Sequence, residues 1–236
     1  MRFGIKNVVK NIADGLFPPR CRGCGEAGAY LCECCKKYIS ENMKARKLED
    51  ASGVFDEAVY LGYRDEILGE LVEEAKYESV RGELLEIAEV VWRGYLQGLG
   101  EAVLVPMPTS RKHVRERAMD HMDRICREVE RLSGGKAKRV RLLARAKNTV
   151  QVGASPEVRK KQAKEAVKVD EKAMAEFLRE KPGARVVLVD DVWTTGASMV
   201  EAGKMLRKAG VGDLMAVAIT KSRTRKSPAI RHGEID

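Results

Sequence analysis

The sequence predicts an α/β fold, a parallel sheet flanked by helices, with a small cysteine-bearing segment ahead of it. Three observations lead there. The apolar runs at 102–105, 186–189 and 214–219 are short and unbroken, as strands buried on both faces are. Between them, apolar residues recur at helical 3–4 spacing over 66–77, 84–95 and 119–132. Finally, polar loops follow two of the strands directly, where open α/β sheets gather their ligands.

With 236 residues the chain suits one sizeable domain plus a small appendage. We expect an N-terminal helix and cysteine knuckle over 1–45, the main domain over 55–221 and a basic tail over 222–236. No apolar run approaches the ~20 residues of a membrane span. The basic start, residues 1–10, lacks the apolar core and cleavage site of a signal peptide, so a cytoplasmic protein is expected. A net charge of +9 fits a nucleic-acid partner or a phosphorylated ligand, and equally a solvated Lys/Glu-rich surface. Aromatic residues at 5% weigh against a single-strand stacking platform.

In chain order, residues 1–20 form an amphipathic pattern (Ile5, Val8, Val9, Ile12, Leu16) that ends at Phe17-Pro18-Pro19. Two C-x-x-C pairs follow, Cys21/Cys24 and Cys32/Cys35, with Cys34 as a spare. Four thiolates in a chain without an export signal read as a structural zinc knuckle; redox-active pairs are the alternative. Residues 36–56 read as a charged linker, 58–63 as a strand, and 79–82 as a break between two helices.

The strand at 102–105 runs into Pro106-Met-Pro-Thr109-Ser110-Arg111-Lys112. This loop offers hydroxyl donors and cationic charge suited to a pyrophosphate. The helix after it carries Cys126 on its buried stripe, and neither His113 nor His121 has a second metal ligand at motif spacing. A short strand is expected at 140–143. Over 145–165 periodicity fades into a polar, basic stretch bearing Arg145, Lys147, Thr149, Gln151 and Arg159, the character of a lid. A strand at 166–169 and a helix at 173–179 lead to the turn Lys181-Pro-Gly183.

The decisive stretch is Val186-Val-Leu-Val-Asp190-Asp191-Val-Trp-Thr194-Thr195-Gly196-Ala197-Ser198. A strand, an acidic tip, a hydroxyl-rich turn and a helix start form a phosphate site. Backbone N–H groups at 194–198 point at the anion, and the aspartates face the hydroxyls of an attached sugar. Gly196 lets the backbone approach closely. An ordinary strand–helix junction with a Ser/Thr cap is the plainer reading.

Acids, spacing and Thr-Thr-Gly together resemble the 5-phosphoribosyl 1-pyrophosphate (PRPP) loop of type I phosphoribosyltransferases. Adding Leu16-Phe-Pro-Pro-Arg-Cys21-Arg-Gly-Cys24-Gly, Val105-Pro-Met-Pro, Leu143-Ala-Arg145-Ala-Lys147-Asn-Thr149, Gln151 and Arg159, the chain resembles the ComF family of zinc-finger phosphoribosyltransferase-like proteins over residues 12–221. Where that family has Arg-Gly-aromatic-Asn-Gln, this chain reads Arg117-Ala-Met-Asp120-His121, and its lid is one residue shorter between Thr149 and Gln151. The resemblance implies the type I phosphoribosyltransferase fold and Mg²⁺-dependent transfer from PRPP to a nitrogenous base or amine. Asp190 and Asp191 would stabilise the cationic ribose, Arg111 and Lys112 the leaving pyrophosphate, with Thr109 and Ser110 as donors, while the lid excludes water. A non-catalytic PRPP or nucleotide sensor acting on nucleic acid through its zinc finger and basic surface is the rival. A homodimer is also left open.

Overall fold

The computed structural model describes residues 18–48, 53–77, 81–109, 120–145 and 167–223. In chain order come α1 (Glu33–Asn42), β1 (Arg46–Lys47), β2 (Glu57–Tyr63), α2 (Ile67–Tyr77), α3 (Arg81–Gly94) and β3 (Ala102–Pro106). After these come α4 (His121–Leu132), β4 (Ala137–Arg139), β5 (Leu143–Arg145), β6 (Val167–Val169), α5 (Glu171–Glu180), β7 (Val186–Trp193), α6 (Ala197–Lys208) and β8 (Leu214–Lys221).

Six strands form the main sheet in the order β1-β2-β8-β7-β3-β4, parallel throughout except for β1 at one edge. Period-two alternation splits its side chains between two cores. Val59, Leu61, Leu104, Val187, Val189, Met215, Val217 and Ile219 pack with α2, α3 and α4 on one face. Tyr60, Val103, Val105, Val186, Leu188, Leu214, Ala216 and Ala218 pack with α5 and α6 on the other. Continuous apolar strands are required because helices cover both faces, which is why those runs were readable in the sequence.

Capping fixes where the helices begin. Asp120 accepts from Asp123 N at 3.2 Å ahead of α4, and Asp170 accepts from Ala173 N at 3.1 Å ahead of α5. On α4 the residues Met122, Ile125, Cys126 and Val129 are buried, so Cys126 is a core thiol, pushed well up by burial.

Three local expectations are corrected. The linker read over 36–56 contains most of α1 and all of β1. α1 docks through partly buried Cys35 and Ile39 and through ion pairs to α3 that its weak apolar pattern does not reveal: Lys36 meets Glu89 at 2.6 Å and Arg93 meets Glu33 at 2.5 Å. Gly82, read as part of a break, lies inside α3. Of the strand read at 140–143 only Leu143 is in one, opening β5; residues 140–142 are a corner between β4 and β5, with Val140 N bonded to Leu104 O at 2.9 Å and Leu142 O accepting from Asp170 N at 2.9 Å. β5 and β6 pair antiparallel as a separate ribbon whose two ends bracket residues 146–166. The helix expected in 1–17 lies outside the described residues, as does the tail beyond 223.

Candidate functional site

β7 does not stop at Val189. It runs on to Trp193 because β8 keeps pairing with it, Asp190 opposite Ala218, Val192 opposite Thr220 and Trp193 opposite Lys221. The acidic tip is therefore the last half of a strand, and alternation sends its two carboxylates to opposite faces. Asp190 joins the face of Val186 and Leu188. Asp191 joins the face of Val187 and Val189, where α4 lies.

Asp190 lines a small cleft with Val192, Thr194, Thr195, Gly196, Ala197, Ser198 and Met199, about 70 Å³ in volume. At ~10–15 Å³ per enclosed water, such a space admits a group of phosphate size and not a whole nucleotide. Thr194, Thr195, Ala197 and Ser198 are exposed, whereas Gly196 is buried at the bend. Gly196 caps α6 with φ of 73° and no side-chain hydrogen bond, and Thr195 Oγ1 accepts from Ala197 N at 3.4 Å. The first turn of α6 holds no acid and its last turn holds Arg207 and Lys208, so charge placement favours an anion at the N-terminus. A Cβ on Gly196 would lie 2.0 Å from Trp193 Cζ2, so only glycine fits between the bend and the indole.

On the other face, Asp191 Oδ2 lies 2.9 Å from Nε2 of His121, the first residue of α4. The imidazole is buried. Its Nδ1 lies 3.5 Å from Thr109 Oγ1, and that hydroxyl donates to Asp120 Oδ1 at 3.0 Å. Thr220 Oγ1 donates to the carbonyl of Asp191 at 3.0 Å and fixes the strand backbone there. Thr109 thus spends its proton inside the protein. Ser110, Arg111 and Lys112, the rest of the expected pyrophosphate clamp, lie outside the described residues.

Arg145, at the end of β5, donates from Nε to Pro108 O at 2.7 Å. Burial lowers its pKa below arginine's ordinary value, while Asp190 and Asp120 pull the other way. It therefore stands by the loop after β3 as a half-buried cation near the acid of the cleft. Sequence reasoning assigned Arg145 to the lid; Lys147, Thr149, Gln151 and Arg159 of that lid lie outside the described residues. His121 was missed as a site residue. Its partners are 12 and 70 positions away in the chain, and no local spacing signals such a contact.

The cysteines converge as expected. Sγ atoms of Cys21, Cys24, Cys32 and Cys35 all lie within 4.8 Å of one another, and Cys24 and Cys32 are 3.6 Å apart. A tetrahedral Zn²⁺ with sulfur at ~2.3 Å needs sulfur separations of roughly 3.8 Å, so the set fits that ion. Gly23 N and Cys32 N donate to Cys21 Sγ at 3.4 and 3.3 Å. Burial alone would raise the Cys21 thiol, but N–H groups of Cys32, Cys24 and Gly23 override it and bring it down to about 6. Cys35 moves the other way, pushed up by burial and by the Cys32, Cys21 and Cys24 sulfurs; a dication reverses that penalty. Cys34 is exposed and outside the cluster. The knuckle is part of the main core: Cys21 and Leu31 are buried with Leu71, Leu84 and Ile87, and Arg22 bonds Glu74 of α2 at 2.8 Å.

Two comparisons with known proteins bear on this arrangement. The family model described as Phosphoribosyl transferase domain matches residues 137–232, which include Arg145, Asp190, Asp191 and the 194–198 bend. Competence protein F of Haemophilus influenzae is 25% identical over 213 residues, covering 86% of this chain and 85% of that protein. That second match reaches beyond the family model into the N-terminal half.

Proposed function

We infer that this chain is a ComF-like protein of the phosphoribosyltransferase family, and that it binds PRPP and transfers its phosphoribosyl group to a nitrogenous base or amine. The observation that supports this reading most is the cleft joining Asp190 to the N-terminus of α6, whose cap Gly196 offers no side chain. A 5′-phosphate docks there on backbone N–H groups and the hydroxyls of Thr194, Thr195 and Ser198. Its ribose then lies against the end of β7, with Asp190 reaching it from one face and Asp191 from the other.

In the transfer the C1′–O bond breaks, pyrophosphate leaves with the electron pair, and an acceptor nitrogen forms the C1′–N bond. Positive charge grows on the ribose and is offset by the two aspartates. Arg145, together with Arg111 and Lys112, attracts the departing pyrophosphate. The oxygen donors at the cleft suit Mg²⁺, which when bound with PRPP supplies further positive charge to the leaving group. No side-chain nucleophile is required.

Zinc at Cys21, Cys24, Cys32 and Cys35 is structural, since all four positions are filled by protein. The second reading, a non-catalytic sensor of PRPP or a nucleotide acting in DNA uptake, is favoured by one feature: Asp120 and His121 stand where the family pattern has Asn and Gln. Calorimetric titration with PRPP, with and without Mg²⁺, followed by pyrophosphate release across a panel of bases and amines, separates the two. Turnover with any acceptor supports the enzyme. Binding without turnover, alongside salt-sensitive DNA binding, supports the sensor. A protein that binds no PRPP refutes the enzyme, and one that binds neither PRPP nor a nucleotide refutes both.

A further inference from the structure

We propose that His121 is the positioning residue of the sugar-phosphate site, an imidazolium that orients Asp191 and offsets its charge. The inference rests on the reading of that site as one for PRPP. Hydrogen-bond inventory is the argument. Asp191 as a carboxylate only accepts, so Nε2, 2.9 Å away, must carry a proton. Thr109 has one hydroxyl proton and donates it to Asp120 Oδ1, so toward Nδ1 its oxygen accepts as well. Both ring nitrogens therefore face acceptors, and the arrangement is complete only when both carry hydrogen.

The surroundings supply acidic charge for that cation to balance. Asp190 and Asp191 come from β7, and Asp120 from the cap of α4. Asp123, one turn along, is taken by Arg139 at 2.8 Å and Arg141 at 2.5 Å, with Arg127 at 3.6 Å. On α3, which packs on α4, Glu89 is engaged by Lys36 and Arg93, and Glu86 faces the Tyr30 and Leu31 backbone. Arg145 is the described cation that bears on Asp190 and Asp120. With imidazolium in place, Oδ2 of Asp191 is held 2.9 Å from Nε2, which fixes the rotation of the carboxylate at the site. The site also repels an anionic ligand less. Without it, Asp191 loses the 2.9 Å contact that holds Oδ2.

Because the arrangement calls for hydrogen on both ring nitrogens, ligand affinity depends on the second ring proton, which a glutamine in its place cannot supply. The experiment compares zinc-loaded wild type, His121→Ala and His121→Gln. Calorimetry with PRPP and Mg²⁺ is run from pH 6 to 8.5, with inorganic phosphate followed by ³¹P NMR to report the 194–198 bend alone. We expect His121→Ala to weaken PRPP at pH 6.5 at least tenfold while phosphate affinity holds. His121→Gln, a neutral donor, should recover much of the loss and lack the wild-type advantage at low pH. The wild-type to Gln affinity ratio then shrinks as pH rises, the titration of PRPP itself cancelling between them. Equal PRPP affinity in wild type and Ala overturns the proposal. So does equal loss of PRPP and phosphate, which marks a general packing role, or a Gln variant with the wild-type pH profile. Wild type that fails to bind PRPP overturns the functional reading itself, before any variant is compared.

Discussion

Replacing Gly196 by alanine tests the built geometry of the phosphate bend. Gly196 has φ of 73°, and a left-handed conformation costs a non-glycine residue about 1–2 kcal/mol. A second cost comes from space. The added Cβ meets Trp193 at 2.0, 2.4 and 2.7 Å, and that indole is buried among Met199 and the α6 core, where overpacking costs about 1–3 kcal/mol. The two together come to about 3 kcal/mol, or roughly 6–12 °C in Tm for a protein of this size. Gly183→Ala is the control, because Gly183 also has φ of 73° but has no atom within 4 Å of its would-be Cβ. It should lose only the conformational part, about 1 kcal/mol. Thermal and urea unfolding of both variants, with phosphate titrated by ³¹P NMR, gives the comparison. If Gly196→Ala melts with Gly183→Ala and binds phosphate normally, the close approach of bend and indole is not what shapes the site.

Asp190→Asn combined with Asp191→Asn should weaken PRPP more than tenfold in calorimetry (~1.4 kcal/mol per decade), and an unchanged Kd rejects their assignment to the ribose. Metal analysis should return one zinc per chain. Chelation should lower Tm and Cys21→Ser should lose the metal, whereas Cys34→Ser changes neither; a metal-free protein with unaltered Tm contradicts the knuckle. Asp123 is pushed up by burial but held below the usual carboxylate range by Arg141, Arg139 and Arg127. A depressed folded-state value means stability that is present above the unfolded value of ~3.8 and lost as pH falls through the folded one. Asp123→Asn should therefore be less stable than wild type at pH 7 by about 2 kcal/mol, the figure for a buried pair reduced because Arg141 is largely exposed, and the gap should narrow in acid. Parallel stability curves from pH 7 to 3 would count against this network.

Much of the fold was legible because the strands are buried on both faces, which forces short, β-branched apolar runs such as 186–189. The knuckle was legible because two C-x-x-C pairs at short spacing supply the four ligands of a tetrahedral site. What escaped depends on distant parts of the chain. The extension of β7 through Asp190 and Asp191 requires β8 as a partner, and polar residues in a strand give no apolar signal. α1 was read as linker because it buries no residue fully, resting Cys35 and Ile39 on the core beside an ion pair from Lys36 to α3. His121 opens an ordinary amphipathic helix, and only the crossing of α4 over the end of β7 brings it to Asp191.

The most direct test is a crystal structure of the zinc-loaded protein soaked with PRPP and Mg²⁺. The account predicts the 5′-phosphate within hydrogen-bond reach of the backbone N–H groups of 194–198, and ribose hydroxyls between Asp190 and Asp191. PRPP bound elsewhere, with the bend vacant at a saturating concentration, would contradict it.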